Sequence, residues 1–416
     1  MTRARTVFLV VAALAAGTAQ AGDFALKDGD RVVFYGDSIT DQRLYTLYTE
    51  AYIVSRFPKR KITFVHSGVG GDRVTGGGMG PIDLRLNRDV IAYKPTVVTI
   101  MLGMNDANYE PFKDETFETY SKGYEHIVET LQSKLPGVRL VLVQPSPFDD
   151  VTRKPNFDGG YNAVLLRYGA YLKELAAKRK ASIADLNTGM VEATKKADAT
   201  DHDMAVKFNP DRVHPGMAGQ LLMAESLLKA WDAPSLVSSV EIDVEAASSV
   251  KAENAKVTDL VVGDSIAWTQ EDDALPYPLN LDDPITALAL KSSDFVDALD
   301  RQVVKVAKLK SPAYTLKIDG QEIGKFSRDD LAKGVNIAAM KTPMWVQAQK
   351  VLDLTKKHND VHFTRWRMLP NEIEKDHPES FRAAQEGIDK LEADIVKDQR
   401  AAAIPKPHKI ELAPAA

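Results

Sequence analysis

The sequence predicts an α/β fold, a parallel sheet with helices on both faces, followed by a smaller β-containing and helical C-terminal region. Three observations carry this. Between Asp30 and Trp231, short apolar runs alternate with stretches of helical period. Those runs are continuously apolar rather than alternating, as in strands buried on both faces. After Ala233-Pro234-Ser235 the pattern changes to Val-, Ser- and Thr-rich segments with rough period-two alternation.

The first strand is expected at residues 31–35, followed by a helix over 44–57 with apolar Leu44, Leu47, Tyr48, Ala51 and Tyr52 on one side. Strands follow at 62–65, 96–101, 140–143 and 182–184, with helices near 119–135 and 163–180 and a closing helix at 215–231. In parallel sheets of this kind the loops at the carboxyl ends of the strands build the site. Residues 240–267 read as antiparallel strands. Segments 314–318 and 322–326 flank Asp319-Gly320, a pair suited to the positive φ angles of a type I′ hairpin turn. Helix dominates from Asp329 onward, most clearly at 345–356 and 378–400, and the Pro- and Ala-rich end, 404–416, is expected to fray.

Composition narrows the function. The chain has 416 residues, 44% hydrophobic and 27% charged, which suits an ordinary folded protein of two or three domains. A net charge of -5 with both signs interspersed lacks the basic footprint of a nucleic-acid binder. The absence of cysteine excludes disulfides, thiolate metal sites and cysteine nucleophiles. At the start, Arg3 and Arg5 precede an apolar run over 7–15 and then Ala19-Gln20-Ala21, the pattern of an export signal cleaved near Gly22. The run is shorter than the roughly 20 residues of a spanning helix. A bacterial periplasmic or secreted location is therefore expected. The resulting division is a signal peptide at 1–21, a catalytic domain at 22–234, a β-rich accessory domain at 235–330 and a helical region with a frayed tail at 331–416.

Four short elements carry the chemistry. Gly36-Asp37-Ser38-Ile39-Thr40 follows the first strand, Gly68-Val69-Gly70-Gly71-Asp72 the second, and Gly103-Met104-Asn105-Asp106 the third; Asp211-Arg212-Val213-His214-Pro215 opens the last helix. A serine hydroxyl needs a base to become a nucleophile, and histidine can take and return that proton near neutral pH. Asp211, three residues before His214, is close enough to reach the same imidazole and hold its tautomer. The negative charge that develops on a carbonyl oxygen needs preorganised donors. The backbone N–H groups of Ser38 and Gly71 and the side-chain amide of Asn105 are the candidates.

These four blocks, in this order, resemble those of the SGNH (GDSL-like) hydrolases. The resemblance covers the first half of the mature chain. It implies a three-layer αβα, flavodoxin-like fold and ester hydrolysis through an acyl-enzyme, with no metal and no cofactor. His66 departs from the pattern, which commonly has Asn before the second block, and puts substrate-side contacts in doubt.

Each motif is weak by itself. Gly263-Asp264-Ser265 repeats the first block inside the β-rich region, without partners, so Ser265 is expected in a strand or turn. Asp376-His377-Pro378 reads as a helix start with Pro in the first turn. Asp37 and Asp106 are expected to brace loops through backbone hydrogen bonds. With His66 they show no helical metal-ligand spacing. Trp345, Trp366, Arg365 and Arg367 read as packing of the C-terminal helices before a sugar-stacking surface. Lys305, Lys308 and Lys310 read as a solvated face.

The expected function is a secreted serine esterase that removes acetyl groups from poly- or oligosaccharide, with a small ester or acetylated glycan as partner. Nucleic-acid binding and stable membrane insertion are not expected. Alternatives are a lipase-like or lysophospholipid acylhydrolase and, from another class, an inactive sugar- or envelope-binding protein.

Overall fold

The computed structural model describes residues 24–246, 250–368 and 371–415. The expected export segment at 1–21 lies outside the described residues.

Five parallel strands form the first sheet: β1 (Arg31–Gly36), β2 (Thr63–Gly68), β3 (Val97–Met101), β4 (Arg139–Val143) and β5 (Ser182–Ala184). Their spatial order is β2-β1-β3-β4-β5. This is the flavodoxin-like order, with the change of direction at β1. Helix α1 (Ser38–Asp41) and helix α2 (Leu44–Arg56) follow β1, and α2 packs against the closing helix Met217–Ala230. The helices Ile82–Asp89, Asp114–Lys134 and Gly160–Arg179 follow β2, β3 and β4 and contact one another in succession. Right-handed crossovers place these two groups on opposite faces. Val32, Val33, Phe34, Val98, Ile100, Leu142 and Val143 are fully buried, as the continuous apolar runs require.

Register matters most for function. Gly36 pairs with Gly68 on one side and Met101 on the other, so the first three strands end level. The first three sequence blocks follow those ends directly and therefore share one edge of the sheet.

The remainder forms two further sheets. One is antiparallel, with Ile266–Asp272 and Ala313–Ile318 on either side of His408–Pro414. The other pairs Leu236–Asp243 in parallel with Arg301–Ala307. The expected hairpin is present, with φ of 52° at Asp319 and 83° at Gly320. A buried chain of hydrogen bonds links the two sheets: Trp268 Nε1 donates to Gln270, whose amide donates to Asp272, which also accepts from Gln302 Nε2 at 2.7 Å.

One expectation is overturned. The chain end does not fray: His408–Pro414 is the central strand of its sheet, with Ile410 and Leu412 fully buried. Its alternating apolar residues gain two neighbouring strands, which outweighs the low β propensity of Pro and Ala.

Between the two halves of this β structure, in sequence, runs a helical hairpin, Pro343–Phe363 and Pro378–Ala403. It packs on α2 and along β2, an edge strand of the first sheet. Arg400 reaches the carbonyl oxygens of Arg60 (3.1 Å) and Ile62 just before that strand. Covering an edge in this way removes a site of unwanted strand pairing. No described helix is long and apolar enough to cross a membrane.

Candidate active site

Ser38 opens the short helix α1. Asp37, in extended conformation, caps that helix by accepting from Ile39 N–H at 3.0 Å, and this holds Ser38 at the sheet edge on rigid backbone. The turn after Ser38 folds back on the strand ends so closely that a Cβ on Gly68 would stand 2.2 Å from Asp41 N. Only glycine leaves room there.

His214 approaches from the loop before the closing helix. Its Nε2 lies 2.8 Å from Ser38 Oγ and its Nδ1 lies 2.7 Å from Asp211 Oδ2. Asp211 Oδ1 also accepts the N–H groups of Val213 (2.9 Å) and His214 (2.7 Å), closing the loop on itself. Partial burial would raise the Asp211 carboxyl, but these N–H groups and the imidazole together hold it below the usual carboxylate range. Asp211 is therefore ionised beside the imidazole at neutral pH.

The candidate oxyanion donors sit on the neighbouring strand ends. Gly71 has a positive φ of 77° and open space where a Cβ would be, so its backbone presents no side chain to an approaching ester. Asn105 is nearly buried. Its Nδ2 donates to Asp72 O at 3.0 Å, and its Oδ1 accepts from Tyr109 OH at 2.8 Å. Because an amide carries two N–H bonds, the second remains for a ligand.

Several residues that support this geometry gave no signal in the sequence. Arg212 has a strained φ of 75°, fixed by its guanidinium, which donates to Asp149 O (3.0 Å), Asp150 Oδ1 (2.9 Å) and Asn156 Oδ1 (2.6 Å). It lies inside the fourth block, between Asp211 and His214, and anchors both. Arg85 holds Asp72 by a fully buried ion pair at 2.8 Å. Tyr109 fixes the Asn105 amide.

The other singled-out residues fall elsewhere. Asp106 accepts from Val74 N–H at 2.9 Å, and burial pushes its carboxyl up to about 7. Burial also raises Asp37 to about 7, assisted by the nearby charges of Asp106 and Asp72. His66 does not face substrate. It is buried, hydrogen-bonded to Thr46 Oγ1 (2.8 Å) and Glu50 Oε2 (3.0 Å), and burial lowers it to about 4. Asp37, Asp106 and His66 are thus separately engaged, and among the described residues no group of three acidic, His or Cys side chains is arranged to hold a metal ion. Ser265 lies in the turn between two strands, where its carbonyl accepts Gly263 N–H. His377 occupies the position before the helix that starts at Pro378, without a side-chain capping bond. Trp345 packs, donating to Leu279 O at 3.1 Å.

Residues 34–222 match the model of the GDSL-like Lipase/Acylhydrolase family. This segment, which contains all four sequence blocks, is a GDSL-like hydrolase domain. An acetylxylan esterase from Geobacillus stearothermophilus is 27% identical to it over 224 residues, 49% of this chain and 94% of that protein. The solved structure of a gut microbial diltiazem-metabolizing enzyme is similar over 94% of this chain and 98% of its own, with 25% identity and a TM-score of 0.79. The similarity to that structure therefore extends beyond the GDSL domain into the C-terminal sheets and hairpin. Through this domain the chain is a carboxylic ester hydrolase.

Proposed function

We propose that this GDSL hydrolase cleaves its ester through an acyl-enzyme on Ser38. The observation that carries the reading is the unbroken hydrogen-bonded chain Ser38 Oγ–His214–Asp211, with separations of 2.8 and 2.7 Å. Ser38 Oγ attacks the ester carbonyl as His214 Nε2 takes its proton. The oxyanion that forms is met by the N–H groups of Ser38 and Gly71 and the Asn105 amide. Collapse breaks the ester C–O bond, and the alcohol leaves with the proton from His214. Water then attacks the acyl-serine, giving its proton to His214, and the free acid departs as Ser38 recovers that proton. Asp211 holds Nδ1–H throughout and offsets the imidazolium charge.

The proposed substrate is an acetylated poly- or oligosaccharide, supported by the likeness to an acetylxylan esterase. The proposed location is the bacterial periplasm or exterior, supported by the composition of residues 1–21. Acetate release from a panel of acetylated glycans, run beside nitrophenyl esters of increasing chain length, tests the substrate class. Release from glycans with a preference for acetyl supports it. A preference for long acyl chains with no glycan release would assign a lipase-like activity instead.

A further inference from the structure

The C-terminal hairpin reaches the loops around Ser38 near the end of its first helix. At the end of its first helix the backbone opens into a π-helical turn, Thr364–Met368. Such turns re-aim the side chains they carry and recur at functional sites. Here two side chains return toward the loop that carries Gly71.

Arg367 Nη2 lies 3.6 Å from Asp41 Oδ2, and the same carboxylate oxygen accepts Gly70 N–H at 3.3 Å. Gly70 is next to the nucleophile: a Cβ on it would stand 4.0 Å from Ser38 Cβ. Trp366 acts on the other side of Gly71. The Arg85 guanidinium, 6.0 Å from the centre of the Trp366 ring and 5.2 Å from that of Tyr35, holds Asp72. Gly71 therefore lies between two neighbours, each held by a carboxylate–guanidinium contact: one is made by Arg367 of the hairpin, and the other, Arg85–Asp72, has the Trp366 ring beside its guanidinium. The turn after Ser38 is held from the same source. Arg43 has a left-handed φ of 59°; its Nη1 donates to Asn359 O at 3.2 Å and its guanidinium stacks 4.2 Å from the Phe363 ring. A strained conformation persists only where its surroundings over-determine it, and here the surroundings are the hairpin.

We propose that Arg367 is a positioning residue for ester hydrolysis, acting through Asp41 and Gly70 to fix the Gly71 N–H where the oxyanion forms. This rests on the Ser38-centred site proposed above. Arg367 touches neither substrate nor nucleophile. Its effect belongs to the transition state, because the loop must already be ordered when the charge appears. The contact with Asp41 is a single ion pair rather than a two-pronged one, so a lysine can restore the charge there, although not the guanidinium's place 5.7 Å from the centre of the Trp366 ring.

The experiment measures kcat and KM for a chromogenic acetyl ester with the full chain, Ser38→Ala, Arg367→Ala, Arg367→Lys, Asp41→Asn and the double variant Arg367→Ala/Asp41→Asn, each with its melting temperature. Arg367→Ala is expected to lower kcat about tenfold, less than the about 10²–10³-fold for deleting an oxyanion donor outright. KM should stay within about twofold, the melting temperature should hold, Arg367→Lys should recover most of the rate, and the double variant should be no slower than Asp41→Asn. An unchanged kcat in Arg367→Ala, with Ser38→Ala inactive, overturns this inference and leaves the site intact. A rise in KM at constant kcat overturns it by making Arg367 a substrate contact. A loss of kcat that follows loss of thermal stability and is not recovered by lysine overturns it by making the role structural. Activity retained in Ser38→Ala would remove the site reading itself, and this inference with it.

Discussion

Replacing Asp211 by alanine or by asparagine separates two contributions of one side chain. The charge term follows from the geometry. With Nδ1 and Oδ2 2.7 Å apart, the charge centres of imidazolium and carboxylate lie about 4 Å apart, worth about 1 kcal/mol in water and about 4 kcal/mol at an effective dielectric of about 20. The Asp211 side chain is 57% exposed, so solvent screening favours the lower part of that range, about 1–2.5 kcal/mol. Asp211→Ala should therefore lower kcat about 5- to 70-fold. Asparagine does more harm. Its Oδ1 keeps the N–H groups of Val213 and His214, which turns its NH₂ toward His214 Nδ1. That donor favours the tautomer with the proton on Nε2, the atom facing Ser38 Oγ, where an acceptor is needed. Asp211→Asn should lose about 10³-fold or more. The assay is kcat on a chromogenic acetyl ester, with melting curves to exclude unfolding. Rates within twofold of wild type for both variants, or an alanine variant slower than the asparagine variant at equal stability, would refute the reasoning.

Asn105→Ala should lower kcat about 10²–10³-fold with a much smaller change in KM; an effect confined to KM in steady-state assays would make the amide a ground-state contact. Gly68→Ala places a Cβ 2.2 Å from Asp41 N and 2.4 Å from Thr40 C, so the turn after Ser38 must move. At least about a tenfold loss of kcat is expected, and an unchanged rate and melting temperature would show that the turn is not held by this approach. His358 sits between Glu50 (2.8 Å) and Glu392 (3.1 Å), with His66, His362 and Gln399 around them; burial opposes its charge, but the two carboxylates raise it to about 10. Its folded value lies above the unfolded one of about 6.5, so its stabilisation is complete below that pH and is lost as pH rises toward 10. His358→Gln should cost about 3–5 kcal/mol at neutral pH and flatten the decline in melting temperature above neutrality; a parallel decline in both proteins would contradict the assignment.

The arrangement of the catalytic half was legible because the first three blocks stand at the ends of strands and the fourth just before the closing helix, and the level ends at Gly36, Gly68 and Met101 bring the first three to one edge. The continuous apolar strands and the Asp319-Gly320 turn were legible for local reasons of the same kind. What stayed hidden depends on contacts distant in sequence. Residues 404–416 look like a tail until Ile410 and Leu412 meet strands about 95 and about 145 residues earlier. His66 reads as a departure from a motif; Glu50 of α2 meets it directly, and the hairpin about 290 residues later brings His358 to the other oxygen of the same carboxylate. Arg367 and Trp366 read as helix packing. Their placement beside the Gly71 loop follows from a local π-helical turn that apolar periodicity does not encode.

The central claim is that Ser38 carries the acyl group. Treating the enzyme with a reactive phosphonate ester, followed by intact-mass measurement and peptide mapping, tests it most directly. The expected result is one adduct per chain, on Ser38, absent in Ser38→Ala and strongly slowed in His214→Ala, with Ser265 unlabelled. A phosphonate on Ser265, or a labelled and active Ser38→Ala, would contradict it.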